Sequence, residues 1–229
     1  MPLHIGIVGC SAEGAALCYR TICSEGPSLI GPHAHPEVSL HTPSFAEYVR
    51  CLDAGDLQGV AALMLASARV LAAAGAHFLI CPDNTIHQAF GDVVEASPLP
   101  WLHIAEVVAT QAQARGYARL GIMGTRWLVK SRVYPDALEA RGIAAVRPDA
   151  PDIAEVHRII MEELVPNRFR TGSTDRLRAV VDRLRDSGCD AVVLGCTELP
   201  IVLDDRNCSL PTLDSTRLLA RAALRKAVA

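Results

Sequence analysis

The sequence predicts an α/β protein of two similar lobes, each with a mainly parallel four-stranded sheet flanked by helices. Apolar runs of strand length alternate with longer segments of helical period, the pattern of parallel strands joined by crossover helices. A repeat points the same way. "IGIVG" at 5 to 9 returns as "LGIMG" at 120 to 124, an offset of 115, and "LICPDNT" matches "VLGCTE" at an offset near 113. Two landmarks shifted by nearly the same distance mark a duplicated unit of about half the chain.

The strands predicted in chain order are 3 to 9, 37 to 41, 77 to 81, 101 to 104, 119 to 124, 143 to 146, 190 to 195 and 210 to 213. Each is a run of strand length that contains at least one β-branched residue. The clearest helices between them are 55 to 74, 105 to 116, 126 to 141 and 173 to 187, read from their 3.6-residue apolar spacing. Ligands of open parallel sheets lie beyond the carboxyl ends of the strands. "CPDNT" (81 to 85) and "GCTE" (195 to 198) are therefore expected on opposite walls of one interlobe cleft.

Composition removes several function classes. The chain has 229 residues, half of them hydrophobic, yet no apolar run long enough to span a bilayer. A net charge of −3 and the absence of a basic stripe give no footprint for nucleic acid or a membrane surface. The first residues run directly into a strand pattern, so the expected location is the cytoplasm. Eight cysteines stand mostly in apolar context, and no two form a CxxC pair, which reads as reduced thiols rather than disulfides or structural zinc. His33, His35 and His41 form a histidine cluster, but its segment is proline-broken and lacks a completing cysteine or carboxylate, so no metal is expected.

Several stretches carry a resemblance: "GIVG" (6 to 9), "DNTIH" (83 to 87), "LHIAE" (102 to 106), "LGIMGT" (120 to 125), "SRVYPDALEARGI" (131 to 143), "GCTELPIVL" (195 to 203) and "LDSTRLLARAAL" (213 to 224). Over nearly its whole length the sequence resembles the aspartate/glutamate racemase family. The resemblance implies two flavodoxin-like lobes related by pseudo-twofold symmetry, with the final helix returning to the first lobe. The expected division is 1 to 100 plus 208 to 229 for the first lobe and 101 to 207 for the second. It further implies an isomerase without cofactor, a homodimer, and inversion at an α-carbon by two cysteines, one from each lobe. Here the sequence departs from the family. The second cysteine is present as Cys196, but Asp83 stands where the first motif has cysteine, and a cysteine appears two positions earlier as Cys81. The first loop, glycine-rich in the family, reads Cys10-Ser11-Ala12-Glu13.

The chemistry narrows the roles. An amino-acid α-hydrogen is a very weak acid, and the common cofactor for its removal needs a Schiff-base lysine. The only lysines are Lys130 and Lys226, and neither has a family role. A cofactor-free route needs a base on one face of the α-carbon, an acid on the other, and donors around the carboxylate. Cys196 and Asp83 are the catalytic candidates, with Cys81 in reserve. Asn84, Thr85, Thr197, Glu198, Ser11 and Thr125 are candidates for holding the substrate, although Asn84, Thr85 and Thr197 also suit turns and caps. Arg168, in "EELVPNRFR", matches the position of a substrate-binding lysine and can grip a carboxylate in a bidentate manner. No arginine in "HTPSFAEYVR" clearly answers it from the first lobe, which places aspartate specificity in doubt. Asp83 reads in three ways: a general base facing Cys196, an orienting group beside a one-sided cysteine enzyme, or an N-cap. The leading expectation is a racemase or epimerase of a small amino-acid-like carboxylate. The competing ones are a malonate-type decarboxylase, a maleate-type cis-trans isomerase, and a binder of small acids without turnover.

Overall fold

The computed structural model describes residues 1 to 170 and 172 to 229, and position 171 by its helical backbone alone. The elements are, in chain order, β1 (Ile5–Val8), α1 (Ala12–Glu25), α2 (Pro27–Ile30), β2 (Val38–His41), α3 (Phe45–Ala54), α4 (Leu57–Ala73) and β3 (Phe78–Ile80). A 3₁₀ turn (Thr85–Ala89) then leads into α5 (Phe90–Ala96), β4 (Trp101–Leu102), α6 (Ile104–Ala114) and β5 (Arg119–Met123). Next come α7 (Arg126–Lys130), α8 (Val133–Glu139), β6 (Ala144–Val146) and α9 (Ala150–Ile159), the last running into a π-helical segment (Ile160–Leu164). The chain ends with α10 (Thr171–Asp186), β7 (Ala191–Leu194), α11 (Leu199–Val202), β8 (Thr212–Asp214) and α12 (Ser215–Val228).

The fold consists of two four-stranded parallel sheets flanked by helices, with strand orders β2-β1-β3-β4 and β6-β5-β7-β8. The same order in both halves follows from the repeated sequence. The compact units are Met1–Val107 with Thr216–Ala229, and Val108–Ser215. Sheet pairing explains these limits. Leu79 and Ile80 pair with Trp101 and Leu102, so β4 belongs to the first unit, and Val192 to Leu194 pair with Thr212 to Asp214, so β8 belongs to the second. The limits expected from the resemblance, 100 and 208, fall ahead of these strands.

In the first unit the central strands β1 and β3 are buried on both faces, which is why they read as continuous apolar runs. Their core joins Ile5, Ile7, Phe78 and Ile80 to Cys18 and Ile22 of α1 and to Leu219, Ala220, Ala223 and Leu224 of α12. The last helix is thereby part of the first core, and its Arg221 is ion-paired with Glu25 at 2.8 Å. In the second unit β7 is likewise buried throughout, and Val192 and Leu194 pack with Val156, Ile159 and Ile160 and with Leu177, Val181 and Leu184 of α10.

One expected helix is two. The segment 126 to 141 divides at Ser131, whose hydroxyl donates to the Leu128 carbonyl (2.6 Å) and accepts the Val133 N–H (3.2 Å). A side chain that satisfies main-chain groups in this way competes with the helical ladder. Pro135, which lacks a donor, then sits within the first turn of α8, where that N–H is not needed.

Candidate active site

The carboxyl end of β3 builds the first group of residues. After Ile80 the chain passes through Cys81 and Pro82, both buried, to Asp83, which is half-buried. The Thr85 N–H donates to Asp83 Oδ1 at 3.1 Å, so the carboxylate caps the turn that follows. His87, on that turn, locks it from beneath. Its Nδ1 donates to the Asp83 carbonyl at 2.7 Å, and its Nε2 accepts the Ile104 N–H at 3.4 Å. A carbonyl only accepts, so the proton resides on Nδ1 and the ring is neutral. Burial, with His103 beside it, holds the His87 pKa well below the usual histidine range. His103 in turn accepts the Ala105 and Glu106 N–H groups through Nδ1, an N-terminal cap for α6, and burial lowers its pKa as well.

Cys81 is a different kind of group. It is wholly buried, and burial first, then the Asp83 charge, pushes its thiol well above the usual cysteine range. Its sulfur makes a 3.8 Å contact with the Asp83 carbonyl. Ser11, at the end of the β1 turn, caps α1 by accepting the Gly14 N–H at 3.4 Å.

The carboxyl end of β7 builds the second group. Gly195 is demanded by close approach: a β-carbon there would lie 2.6 Å from Leu128 Cδ2 and 2.9 Å from the Met123 carbonyl oxygen. This brings the chain tight against the end of β5 and turns it into Cys196, Thr197 and Glu198, all buried. The Cys196 thiol donates to Glu198 Oε2 at 2.9 Å, and the Thr197 hydroxyl donates to the same oxygen at 2.7 Å. A thiol and an acceptor carboxylate thus share one buried hydrogen-bonding cluster. Thr125 caps α7 by accepting the Leu128 N–H at 3.3 Å.

Strand register relates the two turns. Ile7 of "GIVG" pairs with Ile80, and Ile122 of "GIMG" pairs with Val193. Counting onward from those equivalent pairs, Cys81 falls at the step of Leu194, Pro82 at Gly195, and Asp83 at Cys196. Cys81 is 0% exposed and Leu194 1%. The cysteine of the first turn therefore holds the interior step, and the aspartate holds the step that the thiol holds in the second unit.

Arg168 lies on an exposed loop after the π-helical segment, with its N–H donating to the Glu163 carbonyl at 2.6 Å. Sequence reading overlooked what anchors that loop. Glu163 is 0% exposed, accepting from Ser173 at 2.5 Å and from Arg158 at 2.8 Å, and these bonds, Ser173 foremost, lower its pKa from the usual glutamate value. The signal was faint, since "MEEL" reads as a solvated helical pair. Among the described residues no group of three or more His, Cys, Asp or Glu is arranged to hold a metal ion. His41 instead pairs with Ser67 at 3.0 Å, and His35 with the Pro36 carbonyl at 2.8 Å. Lys226 lies 5.5 Å over the Phe78 ring, and Lys130 is exposed at the end of α7. No helix among the described residues is long and apolar enough to cross a membrane.

The family model for Asp/Glu/hydantoin racemases matches residues 6 to 223. The chain belongs to the Asp/Glu/hydantoin racemase family. This family of isomerases accounts for the two parallel sheets. Among solved structures, a candidate Asp/Glu racemase from Yersinia pestis is 31% identical, with a TM-score of 0.90 over 99% of this chain and 100% of that one. An aspartate racemase homologue from Pyrococcus horikoshii is 26% identical, with a TM-score of 0.84 over the whole of both chains. Among curated family relatives, the broad specificity amino-acid racemase RacX of Bacillus subtilis is 25% identical over 150 residues. That alignment spans 66% of this chain and 64% of RacX, just under two thirds of the relative.

Proposed function

We propose that the chain is a cofactor-independent amino-acid racemase in which Cys196 exchanges a proton on one face of the α-carbon and Asp83 on the other. The observation that carries this reading is the 2.9 Å hydrogen bond from the Cys196 thiol to Glu198. A buried carboxylate at that distance can take the thiol proton, and the thiolate is the form that acts as a base. Thr197 steadies the same oxygen, so the acceptor is fixed before substrate arrives. The proton then leaves the α-carbon toward sulfur, and a proton reaches the opposite face from Asp83. An ordinary aspartyl carboxyl ionises near pH ~4 and delivers a proton at neutral pH only in a dry site that favours its neutral form. Closure of substrate over the half-buried carboxyl supplies that condition.

Family membership supports the reaction class, and the strand register supports Asp83 as the counterpart of Cys196. Main-chain N–H groups of the two turns, with Asn84, Thr85 and Thr197, are the donors for the substrate carboxylate, while Ser11 and Thr125 set the first turns of neighbouring helices. The substrate is a small amino-acid-like carboxylate. The name of RacX supports a range of amino acids rather than aspartate alone, and Arg168 is the group for a distal carboxylate where one is present. Cytoplasmic location and assembly as a homodimer belong to the same reading.

One observation favours a second reading. The Asp83 carboxylate already caps the Thr85 N–H, which is what an aspartate with no role in proton transfer would do. Cys196 would then work from one face, as a decarboxylase or cis-trans isomerase does. The deciding experiment incubates the protein with a panel of amino and dicarboxylic acids in deuterated water and follows proton spectra and optical rotation. A racemase exchanges the α-hydrogen and drives rotation to zero. Release of carbon dioxide or double-bond isomerisation without α-exchange would establish the one-sided enzyme. Ligand-dependent stabilisation without turnover would leave a small-acid binder.

A further inference from the structure

Among the described residues, the buried side-chain oxygens without a hydrogen-bond partner are Tyr48 Oη and Thr216 Oγ1. Tyr48 is on α3, 0% exposed, and among the largest fully buried side chains of the protein. An unpaired buried hydroxyl is destabilising, and phenylalanine would fill the same space without it. The phenol nevertheless has polar neighbours at the carboxyl edge of the first sheet. From the end of β1 Cys10 acts on it, and from the end of β3 Cys81 and Asp83 act on it. Ser67 of α4 lies beside it too, but outside hydrogen-bonding geometry, with its hydroxyl paired to His41 Nδ1 from the end of β2. Cys81 is a protonated thiol in the core, and His87 reaches Asp83 through the main-chain carbonyl. Asp83 is the carboxylate of this set, and it is half-buried.

We propose that Tyr48 is a positioning residue for Asp83, its hydroxyl being the donor that receives the Asp83 carboxylate in the working state of the site. The inference rests on the reading that Asp83 is a working acid and base. Oδ1 of Asp83 is held by the Thr85 amide. A turn of the carboxyl toward the phenol would pair Tyr48 and aim the carboxyl in one direction. A donor to a carboxylate favours its ionised form, so the phenol also sets the pH at which Asp83 gains a proton.

The test compares wild type with Tyr48→Phe by carbon-13 titration of aspartate-labelled protein, the Asp83 carboxyl signal being assigned by its loss in Asp83→Asn. The expected result is an Asp83 midpoint about one pH unit higher in Tyr48→Phe. The limb of α-hydrogen exchange that Asp83 sets should move in the same direction by the same amount, with the melting temperature unchanged or raised. Superimposable Asp83 titrations in the two proteins would overturn the proposal. Should wild type exchange no α-hydrogen across the panel, the racemase reading fails separately, and the titration still decides whether Tyr48 acts on Asp83.

Discussion

The two strand-end turns carry the same short pattern, a cysteine followed two residues later by an acid: Cys81-Pro82-Asp83 and Cys196-Thr197-Glu198. Their geometry is opposite. In the first turn the thiol is interior and touches only the main-chain carbonyl of the acid, while the carboxylate is half-buried. In the second the acid is 3% exposed and accepts the thiol, which lies at the edge of the core at 9%. The difference is one of register: the first pattern begins two steps earlier along its strand than the second. A motif compared by residue order alone would equate Cys81 with Cys196, whereas strand pairing equates Asp83 with Cys196.

The largest expected effect breaks the second turn. Cys196→Ala should lower α-hydrogen exchange by about 10³-fold or more, since a positioned proton-transfer group contributes about 10²–10⁴-fold. Its melting temperature should change little, because only one sulfur at the core edge is removed. Full turnover in this variant, measured by proton spectra in deuterated water, would end every enzymatic reading that uses the thiol.

The next effect tests whether the turns are functional counterparts. Asp83→Asn keeps the shape and the Thr85 cap but loses the titrating group, and should cost about 10²-fold in exchange. Asp83→Cys places a thiol at the step of Cys196 and should retain more turnover than the amide. If the amide variant instead exchanges at the wild-type rate, the aspartate is a cap and the site is one-sided. Glu198→Gln, which removes the thiol's acceptor charge while keeping its hydrogen bonds, should lower kcat by about tenfold with KM little changed.

Much of this was legible in the sequence because it is local. All eight strands, their parallel pairing and the duplication follow from apolar runs and repeated glycines, and the "GCTE" turn stands on neighbours in sequence. What was not legible depends on partners distant in sequence. Glu163 looks like a solvated acid until Ser173 and Arg158 close on it. Tyr48 looks like a core aromatic at helical spacing with Cys51 and Leu52, and nothing local shows that its hydroxyl lacks a partner. His87 shows the same limit, since its neutral tautomer is fixed by Ile104 across 17 positions.

That histidine gives the turns different pH sensitivity. His87 and His103 have folded pKa values below the usual value, while in the unfolded chain they titrate near ~6.5. Above that pH both states are neutral and stability is full. As pH falls below it, the unfolded chain takes up protons first, and stability is lost at up to about 1.4 kcal/mol per pH unit for each histidine. Urea unfolding between pH 8 and 5 should show this slope, and His87→Gln should flatten it. An unchanged slope would mean that the first turn does not hold His87 neutral.

The smallest effect is expected at Cys81, and it separates packing from chemistry. Cys81 occupies the step of Leu194, is wholly buried, and is held protonated. Cys81→Ala should therefore cost about 1–2 kcal/mol through the lost sulfur contacts and the small cavity left behind. Turnover at a temperature where the variant is folded should stay within about threefold of wild type. The mirror-image substitution, Leu194→Ala, removes more volume from the equivalent step and should cost about 2–5 kcal/mol, again without a matching loss of exchange per folded molecule. Parallel behaviour of these two variants would establish both positions as interior. If Cys81→Ala instead abolishes exchange in folded protein, the first turn works through its thiol. Residue order, rather than strand register, would then be the correct way to align the two turns.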